Sequence, residues 1–191
     1  MKQMHLRNTP SGNVDNHFPH PDFFRFLFQS IKPENYLELG VRDGACFTKV
    51  APLCKKATGV DADPSNRGKF TLAPNMKYFE MTTDEYFEQL DKDELFDVIF
   101  IDADHSHEQS LKDFINAKEH LMDDGFVFFH DTYPFNESYM AVNKCNYCYK
   151  TALYIKQNFI DDFEIITLPF NPGVSIVKKI PRNCQLIYQK K

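Results

Sequence analysis

The sequence predicts a three-layer α/β/α sandwich. Its sheet is seven-stranded and mostly parallel, with an antiparallel C-terminal pair and helices on both faces. Three observations predict this. Short apolar runs alternate with segments of helical periodicity along most of the chain. Two of the runs, Phe96–Ile101 (FDVIFI) and Phe126–Phe129 (FVFF), are too apolar for half-exposed strands and fit strands covered on both faces, as parallel strands are. The last two runs, 163–168 and 173–180, are joined by Pro-Phe-Asn-Pro, which makes them a hairpin rather than a crossover.

Residues 1–19 are polar, with Pro, Gly and Asn, and are expected to form a loose arm. Pro21-Asp22 opens a helix within 20–32 that places Phe23, Phe24, Leu27, Phe28 and Ile31 on one side. That side is expected to cover the sheet, the site or a second copy of the chain, which would make a homodimer. The core then fills 33–191 as a single domain, a length sufficient for one full hydrophobic interior. Strand one is 35–39. A helix over 45–56 turns Phe47, Val50, Ala51 and Cys54 inward. Strand two, 57–60, ends in Asp61-Ala62-Asp63-Pro64, where Pro64 suits the first turn of a short helix. Strand three is 76–80. Thr82 and Glu85 have the spacing of a capping box for a helix reaching Leu90, and Ser106 and Gln109 repeat that spacing after strand four. The helix that follows is expected to bury Leu111, Phe114, Ile115, Leu121 and Met122. Asp124-Gly125 turns the chain into strand five. A loop over 132–147 leads to a helix over 147–158, with Cys148, Ala152, Ile155 and Phe159 inward. This is the Rossmann-like, doubly wound order.

Composition narrows the function. Hydrophobic residues make up 42% of the chain, yet no run of 18 apolar residues exists, so no membrane partner is expected. The first residues lack the apolar stretch of a secretory signal. Five scattered cysteines, an odd number, fit reduced thiols in a cytoplasm. Cys145 and Cys148 form a C-x-x-C without the second pair that zinc would want, and read as two thiols where a loop meets a helix. Residues 80–131 carry 16 acidic residues against 3 Lys/Arg, while the flanking segments are net basic. An acidic centre argues against nucleic acid, which needs a basic stripe. It leaves two readings, a site that attracts cations or acid-rich surface helices.

In a doubly wound sheet, ligands bind beyond the carboxyl ends of the strands, where strand order reverses. Four of those ends carry an acid: Glu38, Asp61, Asp102 and Asp131. Gly40 and Gly44 let a backbone approach a ligand closely. Their spacing, Glu-x-Gly-x-x-x-Gly, is not the Gly-x-Gly-x-x-Gly that packs beneath a pyrophosphate. A phosphate-free, cationic ligand would suit an acid at Glu38. Asp61, about 20 residues on, can accept both hydroxyls of a ribose. Together these point to an adenosine-type cofactor.

The stretches LELGVRDG, GVDADP, FDVIFIDADHSHEQSLKDF and DDGFVFFHD resemble the class I S-adenosylmethionine-dependent methyltransferases. Within that class the chain is similar to small-molecule O-methyltransferases of the catechol, caffeoyl-CoA and sugar types, over residues 33–131. The resemblance implies S-adenosylmethionine as cofactor. Glu38 would hold its amino group, Gly40 and Gly44 would line its methionine end with Arg42 and Asp43, Asp61 would take the ribose and Thr83 would lie near the adenine. Asp102, shared with the cofactor site, would ligate a divalent cation (Mg, Mn or another) together with His130 and Asp131. His105 stands where catechol-type relatives carry a catalytic lysine, and a histidine there suits removing a proton from a hydroxyl near neutral pH. His107 is a weaker alternative. His130 departs from the family's oxygen ligand, and a nitrogen shifts preference away from magnesium.

The expected function is therefore O-methylation of a small hydroxylated molecule, by Asp102 and His105, with the Tyr-rich segment 133–154 as acceptor wall. The alternative is an S-adenosylmethionine-binding protein without catalysis or dependent on a partner. An NAD oxidoreductase fits the glycine spacing poorly. A nucleic-acid or amide-nitrogen methyltransferase lacks its Pro-Pro-aromatic motif after strand four.

Overall fold

The computed structural model describes residues 19–170 and 172–181; the expected arm and Cys184 lie outside the described residues. The sheet has seven strands: β1 (Asn35–Leu39), β2 (Lys56–Asp61), β3 (Met76–Glu80), β4 (Phe96–Ile101), β5 (Leu121–His130), β6 (Phe163–Leu168) and β7 (Val174–Lys179). Their order is β3-β2-β1-β4-β5-β7-β6. The first five pair in parallel, and β7 pairs antiparallel with both β5 and β6. The chain steps outward from β1 to β3, then returns to place β4 against the other side of β1. The switch point thus lies between β1 and β4, with Glu38 directly beside Phe100.

Alternation along the strands builds two cores. Tyr36, Val98, Phe100 and Phe128 face one layer, where α1 (His20–Ile31) and α2 (Phe47–Val50) pack. Leu37, Leu39, Ile99, Ile101, Val127 and Phe129 face the other, with α3 (Thr83–Gln89), α4 (His107–Glu119) and α5 (Cys148–Asn158). A register shift between Phe96 and Val98 lets Phe96 join the second core despite its parity.

The apolar side of α1 is spent on the chain's own sheet. The Phe24 ring sits 4.8 Å from Phe100 and 4.9 Å from Phe128, and Phe28 sits 5.1 Å from Tyr36. Of its phenylalanines, Phe26 is the one turned outward. This docking also carries His20, at the helix start, to the carboxyl edge of the sheet. Phe24→Ala is expected to cost about 3–5 kcal/mol, the range for emptying a buried aromatic position, read as a drop in thermal denaturation temperature.

The expectations for two helices shift. The helix predicted over 45–56 is one α-turn followed by a 3-10 turn, Ala51–Leu53. Pro52 lacks the N–H an α-helix needs there and ends it early. Pro64 does open a short helix, the 3-10 turn Pro64–Asn66. The helix after strand four stops at Glu119, so Leu121 is buried as a strand residue instead, and Ile115 and Met122 lie on the surface. The buried positions of α4 are Ser110, Asp113, Phe114 and Ala117. Both capping spacings hold: Thr82 and Glu85 cap each other reciprocally, and Ser106 accepts the Gln109 N–H. Among the described residues no helix is long and apolar enough to cross a membrane.

Candidate active site

A cavity of about 1160 Å³ opens along the carboxyl ends of β1, β2, β3, β4 and β5. Glu38, Gly40, Arg42, Asp61, Thr83, Asp102, His105, His130 and Asp131 all line it. Gly44 does not; it is buried beneath Phe70, whose ring would lie 2.5 Å from an added Cβ. Gly40 has a φ of +87°, and a Cβ there would meet the Asp102 carbonyl oxygen at 2.2 Å. Protein packing alone thus demands both glycines, and Gly40 also lines the cavity. Gly40→Ala is expected to destabilise by roughly 3 kcal/mol or more, since strain and overlap combine. Loss of soluble protein or a large fall in unfolding temperature would register it.

At the β1–β2 side the acids are oriented by donors. Asp61 accepts the Arg42 backbone N–H at 2.6 Å, the Asp63 N–H at 2.9 Å and the Asn66 side-chain amide at 3.1 Å. Arg42 contributes its backbone here, from a left-handed φ of 53°. Glu38 is buried and accepts the Tyr36 hydroxyl at 2.5 Å. Burial pushes its carboxyl up to about 8, with Asp102 adding repulsion, against the lowering pull of the Tyr36 and Cys46 hydrogen bonds. Thr83 lies at the cavity wall, but its hydroxyl proton is committed to Asp113 at 2.7 Å.

At the β4–β5 side two carboxylates and two imidazoles interlock. His105 Nε2 lies 3.2 Å from Asp102 Oδ1, while Nδ1 lies 2.6 Å from the Lys144 carbonyl and 3.1 Å from Asp131 Oδ2. Both ring nitrogens face acceptors, so the ring is an imidazolium. Burial disfavours that charge, yet Asp102 and Asp131 raise the group to about 9. The neutral-pH base expected at this position is therefore protonated in this arrangement. His130 Nδ1 lies 3.1 Å from Asp102 and 3.3 Å from Asp131, and the same two acids overcome its burial and raise it to about 10. Burial resists ionisation of Asp102, but His130 and His105 hold it well below the usual carboxylate range. Asp131 is held in the left-handed region at φ 59°, a conformation that costs about 1–2 kcal/mol. The Cys145 thiol donates to its Oδ1 at 3.2 Å, and the Cys148 thiol donates to the His130 carbonyl at 3.3 Å.

Among the described residues, one group brings a carboxylate or imidazole atom from each of three residues within 4.8 Å of one another: Asp102, His105 and Asp131. His105 thus enters this set, while His130, the expected ligand, also reaches Asp102 and Asp131 through Nδ1 and has its ring 4.1 Å from that of His20. His107 is turned away from the acids onto Thr151, at 2.9 Å. Sequence reasoning missed His20, Asn66, Gln109 and Cys145, all of which line the cavity. Cys145 carried its C-x-x-C spacing and Gln109 its capping spacing with Ser106, and neither pattern points to a cavity. Of the five tyrosines in 133–154, Tyr139 reaches the cavity. The acidic centre divides: Asp84, Asp102, Asp104 and Asp131 line the cavity, and most of the rest sit exposed on the surface.

Residues 37–132, half of the chain, match the family described as methyltransferase domain. The chain belongs to this methyltransferase family. The matched span runs from β1 to just past Asp131, so it contains every acid of the site. Solved methyltransferases share the architecture. The O-methyltransferase of Bacillus cereus, in complex with SAH, is 17% identical with a TM-score of 0.66, over 90% of this chain and 84% of its own. The O-methyltransferase TomG of Streptomyces achromogenes, involved in tomaymycin synthesis and solved with SAM, is 12% identical at 0.69, over 85% and 80%. The N-methyltransferase NodS of Bradyrhizobium japonicum is 16% identical at 0.60, over 85% and 95%. No curated protein sequence matches this methyltransferase. At these identities the solved relatives establish a shared fold, the class I methyltransferase sheet, and that fold carries both oxygen and nitrogen acceptors.

Proposed function

We propose that this methyltransferase moves the methyl group of S-adenosylmethionine to a hydroxyl of a small molecule, assisted by a divalent cation at Asp102, His105 and Asp131. The observation that carries this reading is the division of one cavity into two chemical halves. The β1–β2 half presents Glu38 for an ammonium and an oriented Asp61 for ribose hydroxyls. The β4–β5 half presents two carboxylates and an imidazole, and no phosphate-binding glycine loop lies between them. Solved relatives that hold SAM or SAH support the cofactor.

Two carboxylates and one imidazole suit manganese, iron or zinc, and suit magnesium if waters complete its shell. When bound, such a cation lowers the pKa of a coordinated hydroxyl. The chain's own residues do the rest. Glu38 and Asp61 fix the sulfonium, and Asp102 and Asp131 draw the acceptor hydroxyl toward it. His105 must first give up the proton that Asp102 and Asp131 hold on it. As a ligand it would then hold the cation and leave the hydroxyl proton to solvent, and only with no cation bound would its free nitrogen take that proton. The transfer itself is in line and depends mainly on positioning two reactants.

Calorimetric titration with S-adenosylmethionine, with and without Mn²⁺, tests the first half; absence of heat in both would sink the reading. A labelled-methyl screen over catechols, sugars and other hydroxylated compounds tests the second. Turnover lost on chelation and restored by Mn²⁺ or Mg²⁺ supports the cation, whereas turnover indifferent to chelator removes it from the mechanism.

A further inference from the structure

The cavity lining includes Met81, Thr82, Thr83 and Asp84, which follow β3, and Ala103 and Gln109, which follow β4. Gln109 occupies the first turn of α4, where Ser106 caps its backbone N–H at 3.2 Å. Its side-chain nitrogen lies 3.0 Å from Asp113 Oδ1, 3.2 Å from Asp84 Oδ1 and 3.2 Å from Thr83 Oγ1. Asp113 is fully buried, and its Oδ1 also takes the Thr83 hydroxyl proton.

These partners decide the orientation of the amide. With two carboxylates on one side, the nitrogen must face them; the carbonyl oxygen there would set lone pairs against two anions. Thr83 cannot donate to Gln109, because its proton goes to Asp113. Gln109 Oε1 is therefore turned away from the acids, and among the described residues nothing donates to it. The result is a fixed acceptor, in a wall whose other groups include the apolar side chains of Met81 and Ala103. Such a wall suits the edge of a planar heterocycle that carries an amine.

We infer that Gln109 reads the purine of the cofactor, its Oε1 accepting from the exocyclic 6-amino group, and that Asp113 is the positioning residue that locks the amide. This rests on the S-adenosylmethionine reading and adds to it a basis for choosing adenine over a 6-oxo purine, which presents an acceptor at the same place. An acceptor facing an acceptor is penalised as an unmade hydrogen bond.

The test compares S-adenosylhomocysteine with its 6-oxo analogue S-inosylhomocysteine by calorimetry. The wild-type chain is expected to bind the adenosyl compound roughly tenfold more tightly, the order set by one hydrogen bond. Gln109→Leu weakens the adenosyl compound and does not weaken the inosyl compound, which loses an opposing acceptor, so the ratio falls toward one. Asp113→Ala also loses the ratio, while Asp113→Asn keeps it, because an amide carbonyl still accepts from Gln109 and Thr83. If Asp113→Ala does not fold, Gln109→Leu decides alone. A Gln109→Leu protein that discriminates as well as the wild type overturns the inference while the cofactor reading stands. A wild-type chain that binds neither compound overturns both.

Discussion

Asp102→Asn lowers methyl transfer by about three orders of magnitude, the scale on which positioned acid–base and electrostatic groups act. Asp102 follows β4 at the switch point, and one of its oxygens stands 3.2 Å from His105 and 3.1 Å from His130. With the neutral amide, two imidazoliums are left to share the Asp131 carboxylate. One of them gives up its proton, and the ring geometry around the acceptor loosens. A cation would also lose one of its two carboxylates. The measurement is the initial rate with the acceptor found by the labelled-methyl screen, alongside thermal denaturation. The variant is expected to stay folded, because Asp102 is only partly buried and touches the site rather than either core. More than a tenth of wild-type activity in a folded Asp102→Asn protein would remove Asp102 from the chemistry.

Cofactor binding is expected to tighten with pH up to about 8, with release of a proton. Burial holds Glu38 protonated up to about that value in the free chain. An ammonium beside it favours the carboxylate, so binding must expel the proton. Below about 8, affinity should then fall roughly tenfold for each pH unit, the slope of one linked proton. Calorimetry in buffers of different ionisation enthalpy would count that proton directly. Glu38→Gln should flatten the profile and weaken binding at pH 8.

The same group makes an opposite prediction for stability. Its folded pKa lies above the ordinary value of 4.5, so its stabilising contribution is complete below about 4.5 and is lost as pH rises to about 8. Across that window the unliganded chain should lose roughly 1.4 kcal/mol per pH unit from this group. Glu38→Gln should be more stable than wild type at pH 8 without cofactor, and less able to bind it. An unfolding temperature that responds identically to pH in both proteins would show that Glu38 does not titrate as its burial requires.

The parallel core was readable because burial on both faces leaves a one-dimensional trace: FDVIFI and FVFF carry almost no polar residue, and the strand positions followed. The acids at the strand ends were readable for the same reason, since each closes such a run. Helix ends were less so. Pro52 shortened α2, and Leu121 proved a strand residue, because helical and strand periods coincide over the few residues at a boundary.

What the chain's order alone determined is the sheet, its direction of winding and the edge on which Glu38, Asp61, Asp102 and Asp131 would gather. Local patterns of burial and turn chemistry suffice for that. Tertiary structure decided which groups meet. His105 as well as His130 meets both Asp102 and Asp131. Gly44 serves Phe70 rather than a ligand. His20, Gln109 and Cys145 enter the cavity although no local pattern identifies them as lining residues. These are contacts between residues tens of positions apart, and the charge each carries depends on the burial and partners it finds there. Neither distance nor local dielectric is written in the order of residues along the chain.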